Sequence, residues 1–230
     1  MTFDSVAWEA LRLSLWVAVW ATLIAVPLAL WVAWLLARRE FWGKSLLNAL
    51  VHLPLVLPPV VTGYVLLTLF SPAAPAGAAL AVVGLSLAFK WTGAVLAAIV
   101  MGFPLMVRAM RLAFEAVDPK LEDAAATLGA PRSAVFIRVT LPLIAPGILA
   151  GAVMGFAKAM GEFGATITFV ANIPGQTQTL PIAIWTALQI PGGEAAAAGM
   201  AVLSCVVALG AVLASEALAR RVALRIGGGR

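Results

Sequence analysis

Charge is scarce in this chain of 230 residues: Asp, Glu, Lys and Arg together make up 11% of it, against 63% hydrophobic residues. Soluble proteins carry about 25% charged and about 45–50% apolar residues. A water-soluble fold of this length has no interior large enough to hide the difference, so the bilayer must supply it. There is one cysteine, Cys205, which excludes an intramolecular disulfide and reads as a packing residue in an apolar stretch. There is one histidine, His52, with no second His or carboxylate cluster to make a metal site, so a structural histidine is expected. A membrane-embedded hydrolase would need a nucleophile–base set or a metal cluster, and neither is present. No G-x-x-x-x-G-K-[ST] loop occurs, so nothing here cradles ATP phosphates. The net charge of +5 comes without a basic patch interleaved with aromatics, which argues against nucleic acid as a partner. A cleavable signal peptide is not expected, because Asp4 and Glu9 precede a first apolar run too long for an h-region.

What remains is long apolar runs. About 20 apolar residues cross a hydrocarbon core as a helix. Apolar runs of that order, poor in charge, predict five spans, over 13–37, 46–70, 91–110, 139–163 and 195–218. The second contains Pro54, Pro58 and Pro59, which predict a kink tolerated only against protein or a water-filled cavity. Residues 73–89, flanked and punctuated by Pro72, Pro75, Gly77 and Gly84, read as a loop with a short helix at the membrane edge, with a sixth span as the alternative. In the loop 171–194, Thr179-Leu180-Pro181 and the apolar residues 182–190 read as another short helix.

Between the third and fourth spans lies a charged, Ala-rich segment at about 118–142. Asp118-Pro119 is an N-cap followed by Pro at the first helical position, and Glu122 and Asp123 suit the positive end of the helix dipole. Gly129 ends the helix and Pro131 follows. A second short helix over 133–140 leads back to the membrane, where Pro142 marks the start of the fourth span. If this segment is cytoplasmic, so are Arg38, Arg39, Lys44, Arg108, Arg111, Lys120, Arg132, Arg138, Arg220, Arg221, Arg225 and Arg230. The other side keeps Arg12 and Lys90, a strong positive-inside bias. Five spans then put the N-terminus outside and the C-terminus in the cytoplasm. Trp8, Trp42 and Trp91 fall near span ends, as interface anchors do.

ABC importer permeases carry a cytoplasmic loop of the form E-A-A, three residues, G, nine residues, I-x-L-P. This chain has Asp123-Ala124-Ala125, then Gly129, then Val139-Thr140-Leu141-Pro142, with every spacing kept and Asp and Val replacing Glu and Ile. The stretches 53–61, 103–109 and 161–170 further resemble the molybdate permease family. Sulfate and thiosulfate permeases share a core like Gly161-Glu162-Phe163-Gly164. The outer-loop residues Asn172-Ile173-Pro174-Gly175 and Pro191-Gly192-Gly193-Glu194 tip the choice to molybdate. Sulfate, thiosulfate and tungstate stand as alternative cargoes.

The resemblance implies an all-α integral membrane protein with about five transmembrane helices of the type I ABC importer (MetI-like) permease fold. It implies one transmembrane domain over 1–230, in the cytoplasmic membrane of a prokaryote. Glu122, Asp123, Ala124, Ala125, Gly129, Leu141 and Pro142 would couple it to an ATPase. The chain would hold no cofactor of its own: ATP and Mg bind the partner ATPase, and molybdate is cargo. A second copy, two cytoplasmic ATPase subunits and an outer molybdate-binding protein would complete the complex.

Lys158 and Glu162 are charges inside the fourth span, where ionisable groups are costly and pair with one another. Four residues apart on one helix face, they read as a structural ion pair or as a gate in the pathway. Thr166 and Thr168 are neutral hydroxyls that could line an oxyanion path or simply pack. Gly147, Gly151 and Gly155 recur every four residues and predict close helix approach, within one copy or between two.

Overall fold

A computed structural model describes residues 3–227; Arg230, assigned above by charge, lies outside them. Every element among the described residues is helical: α1 (Phe3–Arg38), α2 (Lys44–Val56), α3 (Pro59–Phe70), α4 (Pro75–Val82), α5 (Trp91–Ala116), α6 (Pro119–Thr127), α7 (Arg132–Val135), a π-helical turn (Phe136–Thr140), α8 (Leu141–Met160), α9 (Gly164–Val170), α10 (Leu180–Leu188) and α11 (Glu194–Gly227). Four stretches are long and apolar enough to cross a membrane singly: Ser5–Arg38, Trp91–Ala116, Arg132–Met160 and Glu194–Ala211.

Helices α2 and α3 are long and apolar enough to cross only when taken together, as a broken pair. Helices α1 and α5 run parallel, since Trp16 meets Trp91 at 6.2 Å between ring centroids at one end. At the other end Leu36 and Phe114 share a buried cluster. The chain must therefore return across the bundle between them. Helix α2 belongs to the Leu36–Phe114 cluster through Val51, and Asn48 accepts from Arg111 at 3.1 Å. Helix α3 belongs to the opposite cluster through Leu66, and Phe70 reaches Phe169. Together they make the return.

The expected kink in this second span is a full break, with the two axes bent by 115°. Consecutive prolines explain it. Pro58 forces Leu57 into an extended conformation (φ −73°, ψ 142°), and Pro59 does the same to Pro58 (φ −54°, ψ 135°), so no helical hydrogen bond bridges the gap.

The fourth span also departs from expectation. The short helix expected over 133–140 is not separate from the span, and residues 132–160 form one helical stretch. The π-turn makes this possible: Leu141 N–H donates to the Phe136 carbonyl, five residues back. The wider turn makes room for the Pro142 ring, which would clash in a regular helix. The stretch ends at Met160, short of the expected 163.

Helices α5 and α8 pack through small residues. Gly147 lies against Ala109 and Ala113, Gly151 against Met106 and Met110, and Gly155 against Gly102 and Met106. The glycine repeat is thus spent inside one copy, where a side chain would strike the facing helix. Short α4 has eight residues, too few to cross. Cys205, read as a packing residue, is exposed on α11.

Candidate functional site

The charged segment forms a separate ledge at the Leu36–Phe114 end of the bundle. Asp118 caps α6 by accepting from the Lys120 N–H at 3.0 Å, and Pro119 occupies the first turn. Gly129 stops the helix with φ +83°, the left-handed conformation that a Cβ disfavours. No residue of α6 is buried. Asp123 and Ala124 are exposed, Ala125 is half-buried, and Leu128 is 89% exposed beside Gly129.

Glu122 hydrogen-bonds this ledge to the bundle. Glu122 accepts from Arg38 at the end of α1 (3.2 Å) and from the Thr140 hydroxyl in the π-turn (2.7 Å). Thr140 is buried, so that hydrogen bond is shielded. A displacement of α6 therefore pulls on α1 and on the start of α8 together. Leu141 and Pro142 are half-buried immediately beyond Thr140, at the root of the same span. Arg38 and Thr140 carry no motif signal, and only their folded positions reveal the clasp.

A second group of residues meets where α8 gives way to α9. Lys158 Nζ donates to Glu162 at 2.8 Å, and Glu162 is 3% exposed. Glu162 does not share a face of one continuous helix with Lys158, because α8 has ended two residues earlier. Its second oxygen accepts from the Ala165 N–H at 2.9 Å, which caps the next helix. Helix α9 then runs beside α3. Gly164 faces Pro59, and Gly63 faces the backbone of Ala165 and the side chain of Thr168, contacts too close for any Cβ. Thr166 is buried in this bundle segment. Thr168 donates to the Gly164 carbonyl at 2.8 Å, so its hydroxyl is bonded within its own helix. Both helix breaks, at 57–58 and at 161–163, are thus brought together. His52 donates through Nδ1 to the Asn48 carbonyl one turn back (2.8 Å).

The third polar region is the loop between α9 and α10. Ala171 adopts φ +63°, and Thr177 Oγ1 donates to its carbonyl at 3.1 Å while accepting from the Ile173 N–H at 3.0 Å. Asn172 donates to Thr186 and accepts from Gln178. The Leu180 N–H donates to Ser14 at 2.7 Å and fixes the loop to α1. This loop shares its end of the bundle with the start of α1 and lies opposite α6.

Residues 25–224 match the family described as binding-protein-dependent transport system inner membrane component. Over 214 residues, 93% of each chain, the sequence is 55% identical to the molybdenum transport system permease protein ModB of Escherichia coli K12. The fold is similar to the bacterial alginate ABC transporter solved with its pentasaccharide-bound periplasmic protein (TM-score 0.75, 19% identity, 93% of this chain and 78% of that one). It is also similar to the inward-facing MetNI methionine ABC transporter (TM-score 0.67, 15% identity, 96% of this chain and 95% of that one). The chain belongs to the binding-protein-dependent transport system inner membrane components, as a multi-pass permease with the type I ABC importer fold.

Proposed function

We propose that this chain is the membrane-spanning subunit of an ATP-driven molybdate importer. The observation that carries the reading is 55% identity, over 93% of both chains, to a permease named for molybdenum transport. The exposed α6 ledge, clasped to the bundle by Glu122, gives that reading a mechanism. In it the ledge is the dock for a cytoplasmic ATPase, and two copies of the chain enclose the pathway. Each copy carries one ATPase subunit, and a soluble outer binding protein delivers the anion. The N-terminus and the loop 171–194 face outward, and the C-terminus faces the cytoplasm, in agreement with the Lys and Arg distribution.

ATP-driven closure of the ATPases moves the two ledges, and Arg38–Glu122–Thr140 passes that movement to α1 and α8. The bundle halves then rock between outward and inward openings, a rigid-body coupling of distant sites. Lys158, Glu162, Thr166 and Thr168 lie at or next to the broken helices, where non-helical backbone is tolerated only against protein or water. They are the candidate path residues. A transporter needs weak, multi-site attraction rather than a tight ligand set, or the cargo would not leave.

The test is uptake of radiolabelled molybdate into proteoliposomes holding this chain, the ATPase and the binding protein. Uptake should require all three and ATP, and a hundredfold excess of sulfate should not compete. Uptake without the ATPase would make the chain a channel. Sulfate carried in preference to molybdate would move it to the sulfate branch.

A further inference from the structure

At the end of the bundle opposite α6, two pockets and an apolar slot adjoin one another. Arg12 and Glu9 line one pocket with Leu13, Trp16, Gly175 and Gln178. Lys90 lines the next with Gln176, and the two pockets share Leu13, Trp16 and Gly175. Trp91 borders both the Lys90 pocket and the slot. The slot, of about 420 Å³, is walled by Trp20 and Ile24 of α1, Val95, Leu96 and Ile99 of α5, and Leu80 beside them. The hydroxyl of Thr92, at its rim, is already bound to the Ser86 carbonyl at 2.7 Å. From Trp91 to Ile99 it runs about 12 Å along the helix axis, away from the bundle end.

The chemistry changes in order along this groove. Cations stand at the rim, then comes Trp16 in contact with Trp20 at 5.7 Å and with Trp91 at 6.2 Å, then hydrocarbon alone. Tryptophans of this kind sit at headgroup level. Arg12 and Lys90 are both exposed, and among the described residues neither forms an ion pair. They also run against the charge bias expected from the sequence, which assigns most other Lys and Arg residues outside the spans to the side of the 118–142 segment. A soluble anion would match the cations but not the slot, and an apolar helix would match the slot but leave the cations without a counter-charge. A ligand with an anionic head and a hydrocarbon tail matches both.

We propose that this groove holds one anionic phospholipid of the phosphatidylglycerol type, in the leaflet opposite α6. Its phosphate lies at Lys90 and Arg12, and one acyl chain fills the slot between α1 and α5. The left-handed backbone of Phe89 (φ +60°) turns the chain sharply into α5 and sets Lys90 at the rim. Glu9 opposes a second negative charge in the Arg12 pocket, which favours a singly charged headgroup.

The experiment is native mass spectrometry of the full chain released from nanodiscs that contain equal phosphatidylglycerol and phosphatidylcholine. The wild type should retain one phosphatidylglycerol and little phosphatidylcholine. Each cation contributes about fivefold to such retention, so Arg12→Gln/Lys90→Gln should lose about 25-fold. Leu96→Trp, which fills the slot and keeps both cations, should lose the lipid as well. Equal retention of the two lipids by the wild type would overturn the proposal, as would wild-type retention by both variants. In a Cys205→Ser background, Leu85→Cys places a thiol on the slot wall. Disulfide-linked dimers through that position would assign the slot to a second copy and equally overturn it.

Discussion

Glu162 is buried and accepts from two donors, the Lys158 ammonium and the Ala165 amide. The neighbours Glu122 and Asp123 divide differently: Glu122 turns inward to Arg38 and Thr140, while Asp123 stays exposed. Such differences decide what each carboxylate contributes. Removing one partner of a buried pair strands the other's charge and costs about 3–5 kcal/mol; Lys158 is partly exposed, so water can reach the carboxylate left behind and lowers that cost. Lys158→Met should therefore destabilise by roughly 2–3 kcal/mol, seen as a lower melting temperature in detergent. Lys158→Met/Glu162→Gln should recover most of that loss, because the neutral amide still accepts from the Ala165 N–H. A double-mutant cycle measures the coupling directly. Additive effects would dissolve the pair and leave two independent residues.

Helix ends carry the coupling argument at the next scale. Gly129→Ala places a Cβ where no atom lies within 4 Å, so packing is untouched and the effect is conformational alone. The left-handed φ of +83° then costs about 1 kcal/mol or more. Insertion and binding-protein docking should be unchanged, while ATPase association weakens or hydrolysis uncouples from uptake. Wild-type values of both in proteoliposomes would show that this helix stop does not set the dock. The stop itself was legible in the sequence, as was the Asp118 cap, because Gly, Pro and charge act locally. Orientation within the apolar helices was not legible. Lipid is as apolar as a neighbouring helix, so hydrophobic pattern does not report which face packs. The Gly147–Gly151–Gly155 stripe announced a contact without saying that its partner is α5 of the same copy. Likewise the three prolines announced a disturbance without its 115° angle. The π-turn that accommodates Pro142 also places Thr140 against Glu122 across 18 residues, a contact beyond the reach of local signals.

For the molecule as a whole, the decisive quantity is the parity of crossings. Four straight spans alone would leave α1 and α5 separated by no return, yet the two helices are parallel and joined at both ends. Broken α2–α3 must supply the return, although α2 and α3 are each too short to span at 13 and 12 residues. The loop 171–194 is fixed to the start of α1 by the Leu180–Ser14 bond, so it shares a side with the N-terminus. Helix α6 sits at the other side through Arg38. Reporter fusions at Lys44 and Arg132 should therefore read cytoplasm, and a fusion at Gln176 should read the outside. The same experiment isolates the broken pair. A fusion at Ala74, just after α3, should agree with Gln176, because α2 and α3 together have carried the chain across. If Ala74 instead agrees with Lys44, the pair is re-entrant and α5 starts on the cytoplasmic side. In that case α1 and α5 would have to run antiparallel, and the Trp16–Trp91 and Arg38–Glu122 contacts could not form in one folded chain.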